Sequence, residues 1–480
     1  MKTATGTHSS TEARTPAGPA GLGAAGLLTV LVGAGLSIVD FFIVNVALPT
    51  IDRTLHASPV VLQLVVAAYG IAYATLLVLG GRLGDHFGRR RLFTTGLGLF
   101  TLTSLACGLA PTAGLLVAAR AAQGAAAALM VPQVLSIIQA TTTGERRSKA
   151  LGWWGATSGL AMIIGQLVGG VLVTADLGGL AWRPIFLVNV PIGIVCLLAV
   201  RRTVPENRAE RPLGLDRAGT PLFGALVLAV LLPLMAGRVL GWPWWTWLSL
   251  AVAPILAVLF AFSQKRGEHE GRTPLLPPSL LALPSMRRGL LLSVPFFLGF
   301  GAFLFVYALT LQDGLRLDAA AAGLAITPMA AGFLVASLLS SRLTVHFGQR
   351  VVTAGAALQA VGIAVLIGTV LLEWPQVPLP ALIPGMAVAG FGQGLTMTTM
   401  FRVVLSKVPA AQAGSASGVL VTVQQVSVAA GVATLGSAYL WLAEPGVLGV
   451  LDAFVGVMAV QVLVALAIVF TGRKLPDPRG

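Results

Sequence analysis

Long apolar runs separated by short polar punctuation make up nearly all of the chain after its first twenty residues. About 20 apolar residues are needed to carry a helix across roughly 30 Å of hydrocarbon. Runs of that length are predicted near 24–48, 59–80, 92–110, 113–138, 150–173, 182–200, 218–236, 243–262, 289–311, 322–341, 351–371, 380–401, 411–440 and 452–471. In lipid the backbone must satisfy its own hydrogen bonds, and continuous runs suit helices, not the roughly 10-residue alternating strands of a membrane barrel. The pattern therefore predicts an all-α polytopic membrane protein with fourteen transmembrane helices.

Composition agrees: 56% of the residues are hydrophobic and only 10% charged, far from the balance of a soluble domain. A net charge of +14 would ordinarily suggest a nucleic-acid partner. The basic residues say otherwise. With a cytoplasmic amino terminus, only Arg53, Arg183, Arg238 and Arg316 fall in outer loops and only Arg120 within a span. Every other Lys and Arg lies on the inner side, as the positive-inside rule requires, so both termini are expected in the cytoplasm and no nucleic acid is expected as partner. "WPWWTW", Trp242 to Trp247, sits at the outer end of spans seven and eight, where indoles prefer the interface. Residues 1–20 lack the basic start and short apolar core of a cleaved signal, so the first helix is expected to stay in the mature protein. Cys107 and Cys196 fall inside apolar spans and read as small hydrophobes. The five histidines lie in tails or between spans, which argues against a buried metal or a histidine proton relay.

The charged punctuation repeats. "GGRLGDHFGRRRLF" from Gly80 is answered by "SSRLTVHFGQRVV" from Ser340, so that Arg82, Leu83, His86, Phe87, Gly88 and Arg90 recur as Arg342, Leu343, His346, Phe347, Gly348 and Arg350. Each copy follows the second span of a six-span block. The expected organisation is a tail (1–23), a six-helix half (24–200), a linker with two inserted helices (201–288), a second six-helix half (289–471) and a tail (472–480). Parallel halves related by an axis along the membrane normal are a transporter architecture, with the substrate site at their interface.

Four stretches carry a family resemblance. "IVDFFIVNVALP" holds Asp40 and Asn45; "GGRLGDHFGRRR" holds Gly81, Asp85, Gly88, Arg89 and Arg90; "LLVAARAAQG" holds Arg120, Gln123 and Gly124; "GWWGATSGLAMIIGQLVGG" precedes "WRPIFLVNVPIG". In that order and on those spans they resemble the motifs of the major facilitator superfamily, and within it the fourteen-helix drug:proton antiporters of the EmrB/QacA type. The resemblance implies the major facilitator fold, a loop motif whose Asp85 caps a helix start in the other half, and a glycine-lined fifth helix. That helix keeps Gly152, Gly165, Gly169 and Gly170 but has Gly165-Gln166 where the family has Gly-Pro, and Ala161 where it has glycine.

Asp40 is the acidic residue placed deep in a span, and a carboxylate there is costly enough to be a functional hypothesis by default. Counting from the outer span ends puts Asp40 and Arg120 at the same depth, roughly 10–12 Å below the boundary, so the two are expected to meet. Asp40 is expected to carry the coupled proton and Arg120 to bias its affinity; the alternative is a static ion pair that fixes packing. The acid of the loop motif has no counterpart in the second copy, which has Val345 for Asp85 and Gln349 for Arg89, so a gating latch of Gly81, Asp85, Gly88, Arg89 and Arg90 is expected in one half, with Gly165, Gly169 and Gly170 letting the fifth helix move.

The expected substrate lining is aromatic and amide: Phe41, Phe42, Asn45, Tyr69, Gln123, Gln166, Phe296, Phe300, Gln393, Gln424 and Gln425. Such a cavity suits hydrophobic, drug-sized molecules. "GLGAAG", Gly21 to Gly26, matches a dinucleotide pattern but follows no strand, and no phosphate-binding G-x-x-x-x-G-K-[ST] occurs. An enzyme would need a buried nucleophile, base or metal cluster, and a channel a charged or carbonyl-lined pore; neither pattern is present. The expectation is a bacterial plasma-membrane exporter, working as a monomer without cofactor or metal, with the bilayer, a hydrophobic small molecule and protons as partners. The lost Gly-Pro supports the alternative of an importer or facilitator with the same fold.

Overall fold

The computed structural model describes residues 21–206, 216–237, 240–272, 274–317, 319–409, 412–444 and 447–476. The predicted tails lie largely outside these residues.

The elements are α1 (Ala24–Leu55), α2 (Pro59–Phe87), α3 (Arg89–Gly108), α4 (Ala113–Thr141), α5 (Gly144–Ala175), α6 (Pro184–Leu187), α7 (Asn189–Thr203), α8 (Gly219–Ala236) and α9 (Trp244–His269). After these come α10 (Pro278–Ala282), α11 (Pro284–Leu309), α12 (Ala319–Leu324), α13 (Thr327–Phe347), α14 (Arg350–Glu373), α15 (Leu379–Leu405), α16 (Ala413–Gly431), α17 (Ser437–Leu442) and α18 (Val450–Gly472). Among the described residues, 11 helices are long and apolar enough to cross a membrane. The other three predicted spans are helical but weaker. α8 is short, α3 opens on Arg89, Arg90 and Arg91, and α15 is diluted by Gln393, Thr396, Thr398 and Thr399.

Several helices outrun the predicted spans, α2 as far as Phe87 and α5 from Gly144, because backbone hydrogen bonding continues through interfacial charges that hydropathy counts as loop. Local signals set their ends. The Ser58 hydroxyl accepts from the Val61 N–H before Pro59, and the Thr112 hydroxyl accepts from the Leu115 N–H. Gly88 (φ 107) separates α2 from α3 and Gly348 (φ 57) separates α13 from α14, so both copies of the charged motif turn on a glycine at a backbone angle that side chains avoid.

Helix pairing repeats along the chain. α2 packs on α4, α3 on α4, α1 on α5 and α3 on α7; then α13 packs on α15, α14 on α15, α11 on α16 and α14 on α18. Between the two sets, α2 packs against α16 and α5 against α13. The inserted α8 lies over the α2/α16 junction, where Val227 and Leu231 bury against Ala67, Ile71, Val426 and Ala429.

Asp216 anchors this inserted pair. Its Oδ1 accepts from the Ala218 and Gly219 N–H groups at 3.2 and 2.7 Å, and its Oδ2 from Gln264 Nε2 and the Leu275 N–H at 2.8 and 2.9 Å. Burial opposes the charged form, but these four hydrogen bonds outweigh it and hold the carboxyl below its ordinary 3.8. A depressed folded-state value stabilises the fold above the unfolded value and stops doing so as pH falls through the folded one. Asp216→Ala is therefore expected to lower stability by about 1–3 kcal/mol at neutral pH. In thermal unfolding of the detergent-purified protein, the gap to wild type should hold from neutrality down to about pH 5 and close below pH 3.8.

Candidate functional site

Asp40 and Arg120 meet at the centre of the first helix set. The Arg120 Nη1 donates to Asp40 Oδ2 in an ion pair, with neither side chain exposed. The other carboxylate oxygen accepts from Gln123 Nε2 at 2.9 Å and from Asn189 Nδ2 at 3.0 Å. Both amides also reach the Ser104 hydroxyl, at 3.1 and 2.9 Å, and that hydroxyl donates to the Phe186 carbonyl. Arg120 Nε donates to the Val65 carbonyl and its Nη1 to Gln123 Oε1, while its guanidinium lies 4.4 Å from the centre of the Tyr69 ring. The knot thus draws on α1, α2, α3, α4, α6 and α7. A buried charge is tolerated only when paired and hydrogen-bonded, and here both oxygens of the acid are.

A cavity lies beside this knot, between the two helix sets. Its deep part, about 160 Å³, is lined by Phe41, Phe42, Tyr69, Phe300, Gln424 and Gln425, among others. It shares Phe41, Phe42 and Phe300 with a larger space of about 580 Å³ that reaches Leu48, Leu167 and Gln312. Tyr69 belongs to both features: its ring covers the Arg120 guanidinium and also lines the cavity.

The face carrying the Lys- and Arg-rich loops is closed. There Gly152 of α5 packs against the Ser337 carbonyl, Gly155 against Thr398 and Ser337, and Gly159 against Phe333. Arg402 on α15 donates to the Ser148 carbonyl at 2.9 Å and Gln139 on α4 to the Leu405 carbonyl at 2.9 Å, so hydrogen bonds cross between the sets. Ser136 and Ser417 hydroxyls are 3.2 Å apart at the α4/α16 contact.

Three of the eleven residues expected to line a substrate site lie elsewhere. Gln123 is fully buried in the Asp40 network, because a carboxylate claims its amide. Phe296 is buried in the main core against Phe297, one helical turn along α11 from the cavity-lining Phe300. Gln393 is fully buried in α15 with neither amide atom hydrogen-bonded. The side chains of Asn45 and Gln166 lie outside the described ones. The remaining six line the cavity.

Of the expected gating residues, Gly81 is buried, and Asp85 Oδ1 accepts from Arg89 Nη2 at 2.9 Å with both side chains 1% exposed. α16 runs antiparallel beside α2, with Gly418 against Val78. Five residues of rise, roughly 7.5 Å, bring the start of α16 down toward the Asp85 turn. Arg90 pairs with Glu206 at 3.2 Å. A Cβ on Gly165 would meet the Val39 carbonyl at 2.9 Å and one on Gly169 the Ile43 side chain at 2.8 Å, whereas Gly170 faces nothing within 4 Å. Gly165 and Gly169 thus seat α5 on α1 on either side of Asp40, and α5 is one unbroken helix.

Sequence reading missed Asn189 and Ser104, whose polar side chains in apolar spans were the available signal. It also counted Arg120 as the one cation inside a span. Arg402 is a second, 6% exposed within α15, because that helix runs to Leu405 and not to 401. Arg82, also fully buried, donates to the Pro274 carbonyl at 2.7 Å and ties the charged turn to the inserted segment.

Comparison with known proteins agrees with this architecture. A family profile of the Major Facilitator Superfamily matches residues 30–223 and 199–432. The chain is 35% identical to the "Probable actinorhodin transporter" of Streptomyces coelicolor over 86% of this chain and 72% of that one. It is 36% identical to the puromycin resistance protein of Streptomyces alboniger (88% and 84% covered) and 37% identical to the cephamycin export protein of Amycolatopsis lactamdurans (83% and 82% covered). Among solved structures, the human organic anion transporter MFSD10 superposes with a TM-score of 0.65 at 17% identity, covering 92% of this chain and 99% of that one. A proton:xylose symporter superposes with a TM-score of 0.65 at 16% identity, covering 94% and 96%; at such identities the likeness is one of fold. The chain belongs to the major facilitator superfamily of membrane transporters, a non-enzymatic class.

Proposed function

We propose that this transporter exports hydrophobic, drug-sized molecules such as antibiotics or secondary metabolites from the bacterial cytoplasm in exchange for protons. The carrying observation is the aromatic and amide-lined cavity that shares the Tyr69 ring with a fully buried carboxylate–arginine pair. The names of the antibiotic transporters and resistance proteins to which the chain is similar support export. In this reading all fourteen helical segments span the plasma membrane, both termini face the cytoplasm, and the closed basic face is the cytoplasmic one, so the cavity faces outward.

Substrate is held by apolar area against Phe41, Phe42, Tyr69 and Phe300, with Gln424 and Gln425 as orienting amides. Protonation of Asp40 removes its charge from Arg120, which keeps the Val65 and Gln123 contacts but loses the one that ties it to α1. α5 rests on α1 at Val39 and Ile43, the neighbourhood of Asp40, and forms the cytoplasmic seam with α13 at its other end. A change at Asp40 therefore reaches the seam through one rigid helix, and Asp85 with Arg89 and Arg90 latches the α2/α16 side. A facilitator or importer is the second reading, favoured by Gln166 and the unbroken α5 where the family carries Gly-Pro.

The test is a proteoliposome loaded with a pH-sensitive dye and given hydrophobic antibiotics or dyes under an imposed proton gradient. Exchange predicts substrate-triggered proton movement absent from protein-free vesicles. Substrate flux without proton movement would replace exchange by facilitated diffusion.

A further inference from the structure

A second cavity, about 520 Å³, opens at the basic face between the α4/α5 and α13/α14 turns, far from the Tyr69 site. Its lining includes Gln139, Arg147, Ser341, Arg342, His346 and Arg402. Arg402 is 6% exposed, its Nη groups reach the Ser148 and Ser340 carbonyls and the Ser340 hydroxyl, and its Nε has no hydrogen-bond partner. Among the described residues it takes part in no ion pair. A cation this buried, held only by neutral oxygens, lacks the counter-charge that ordinarily offsets its desolvation.

The surroundings add to the positive field. Arg147 is held over the cavity by donations to the Thr142 and Gln139 carbonyls at 2.9 and 2.8 Å, and Arg342 stands exposed at the rim. The one carboxylate in the lining, Glu145, is engaged by Lys149 at 2.9 Å and lies within electrostatic reach of Arg342 at the rim. Leu151, Leu405 and Val345, the last 48% exposed, give the same cavity an apolar side. Three guanidinium groups drawn from α5, α13 and α15, with an apolar wall at the membrane surface, match a phosphate that carries an ester chain. Basic pockets between membrane helices on the inner side bind anionic headgroups, and guanidinium matches phosphate geometry.

We propose that this cavity binds a phosphate-type anion, the headgroup of an anionic phospholipid or free phosphate, that bridges the two halves and steadies the closed cytoplasmic seam. The tests use the full-length, detergent-purified and delipidated protein, with thermal unfolding as readout and phosphatidylglycerol, phosphatidylcholine and inorganic phosphate as probes. Phosphatidylglycerol is expected to raise the melting temperature above the phosphatidylcholine value, and Arg147→Gln/Arg342→Gln to lose that rise. Arg201→Gln/Arg202→Gln removes two charges from the end of α7 on the same face and should keep it. A rise with phosphatidylglycerol alone identifies a lipid, and a rise with inorganic phosphate as well identifies the free anion as sufficient. No rise with either probe, or equal loss in both double variants, overturns the site. Arg402 is left intact because its carbonyl contacts hold the seam.

Discussion

Asp40→Asn is expected to abolish substrate-driven proton movement, down to the level of protein-free vesicles, while the protein still inserts and purifies. Asparagine has nearly the shape of aspartate but one acceptor oxygen and one donor nitrogen. Arg120 donates to one carboxylate oxygen while Gln123 and Asn189 donate to the other, so in either amide orientation one side sets donor against donor. The resulting loss of stability should be about 1–3 kcal/mol, tolerable in a core this extensive. What disappears entirely is the group that can change charge. Arg120→Leu should be worse for stability, about 3–5 kcal/mol, because it leaves a buried carboxylate without its cation. The double variant should fall short of the sum of the two. A folded Asp40→Asn protein that still moves protons with substrate would reduce the pair to a packing device.

Gly155→Leu is expected to arrest transport without preventing assembly. The first carbon of a side chain at this position would lie 2.3 Å from the Thr398 methyl on α15 and 3.0 Å from the Ser337 hydroxyl on α13, across the seam that α5 makes with these two helices. Overpacking of this kind costs about 1–3 kcal/mol, and it is charged only to the state in which the seam is shut. A shift of 1–2 kcal/mol moves a two-state balance by a factor of about 5–30, so the variant should dwell with its basic face open. Impermeant thiol labelling of Ser340→Cys, now fully buried at that seam, should rise in the Gly155→Leu background. Gly170→Leu, which meets nothing within 4 Å, serves as the same change on the same helix without a seam to jam. Equal transport by the two variants would mean that the seam does not open and close in the cycle.

The membrane class, the all-helical architecture, the repeated charged turn and the meeting of Asp40 with Arg120 could all be read from the chain itself. They rest on local or periodic properties. A 20-residue apolar run is long enough to cross lipid whatever surrounds it, a glycine turn such as Gly88 or Gly348 is set by its own backbone angle, and equal depth in two spans follows from rise per residue. What depends on helix rotation was settled only by the tertiary structure. Whether Gln123 faces a substrate or a carboxylate turns on about 100° per residue around an axis, which hydropathy does not report in helices apolar all round, and whether Phe296 meets the cavity or the core turns on how far the cavity runs along the face of α11 that it shares with Phe300. Arg402 escaped because a helix continues past the apolar run that announces it, and Asn189 because only the packing of α7 against α1 and α3 brings its amide to Asp40. The chain determined that its apolar runs are helices and that Asp40 and Arg120 lie at one depth; packing between helices decided which side chains meet, because rotation and tilt are fixed by neighbours and not by composition.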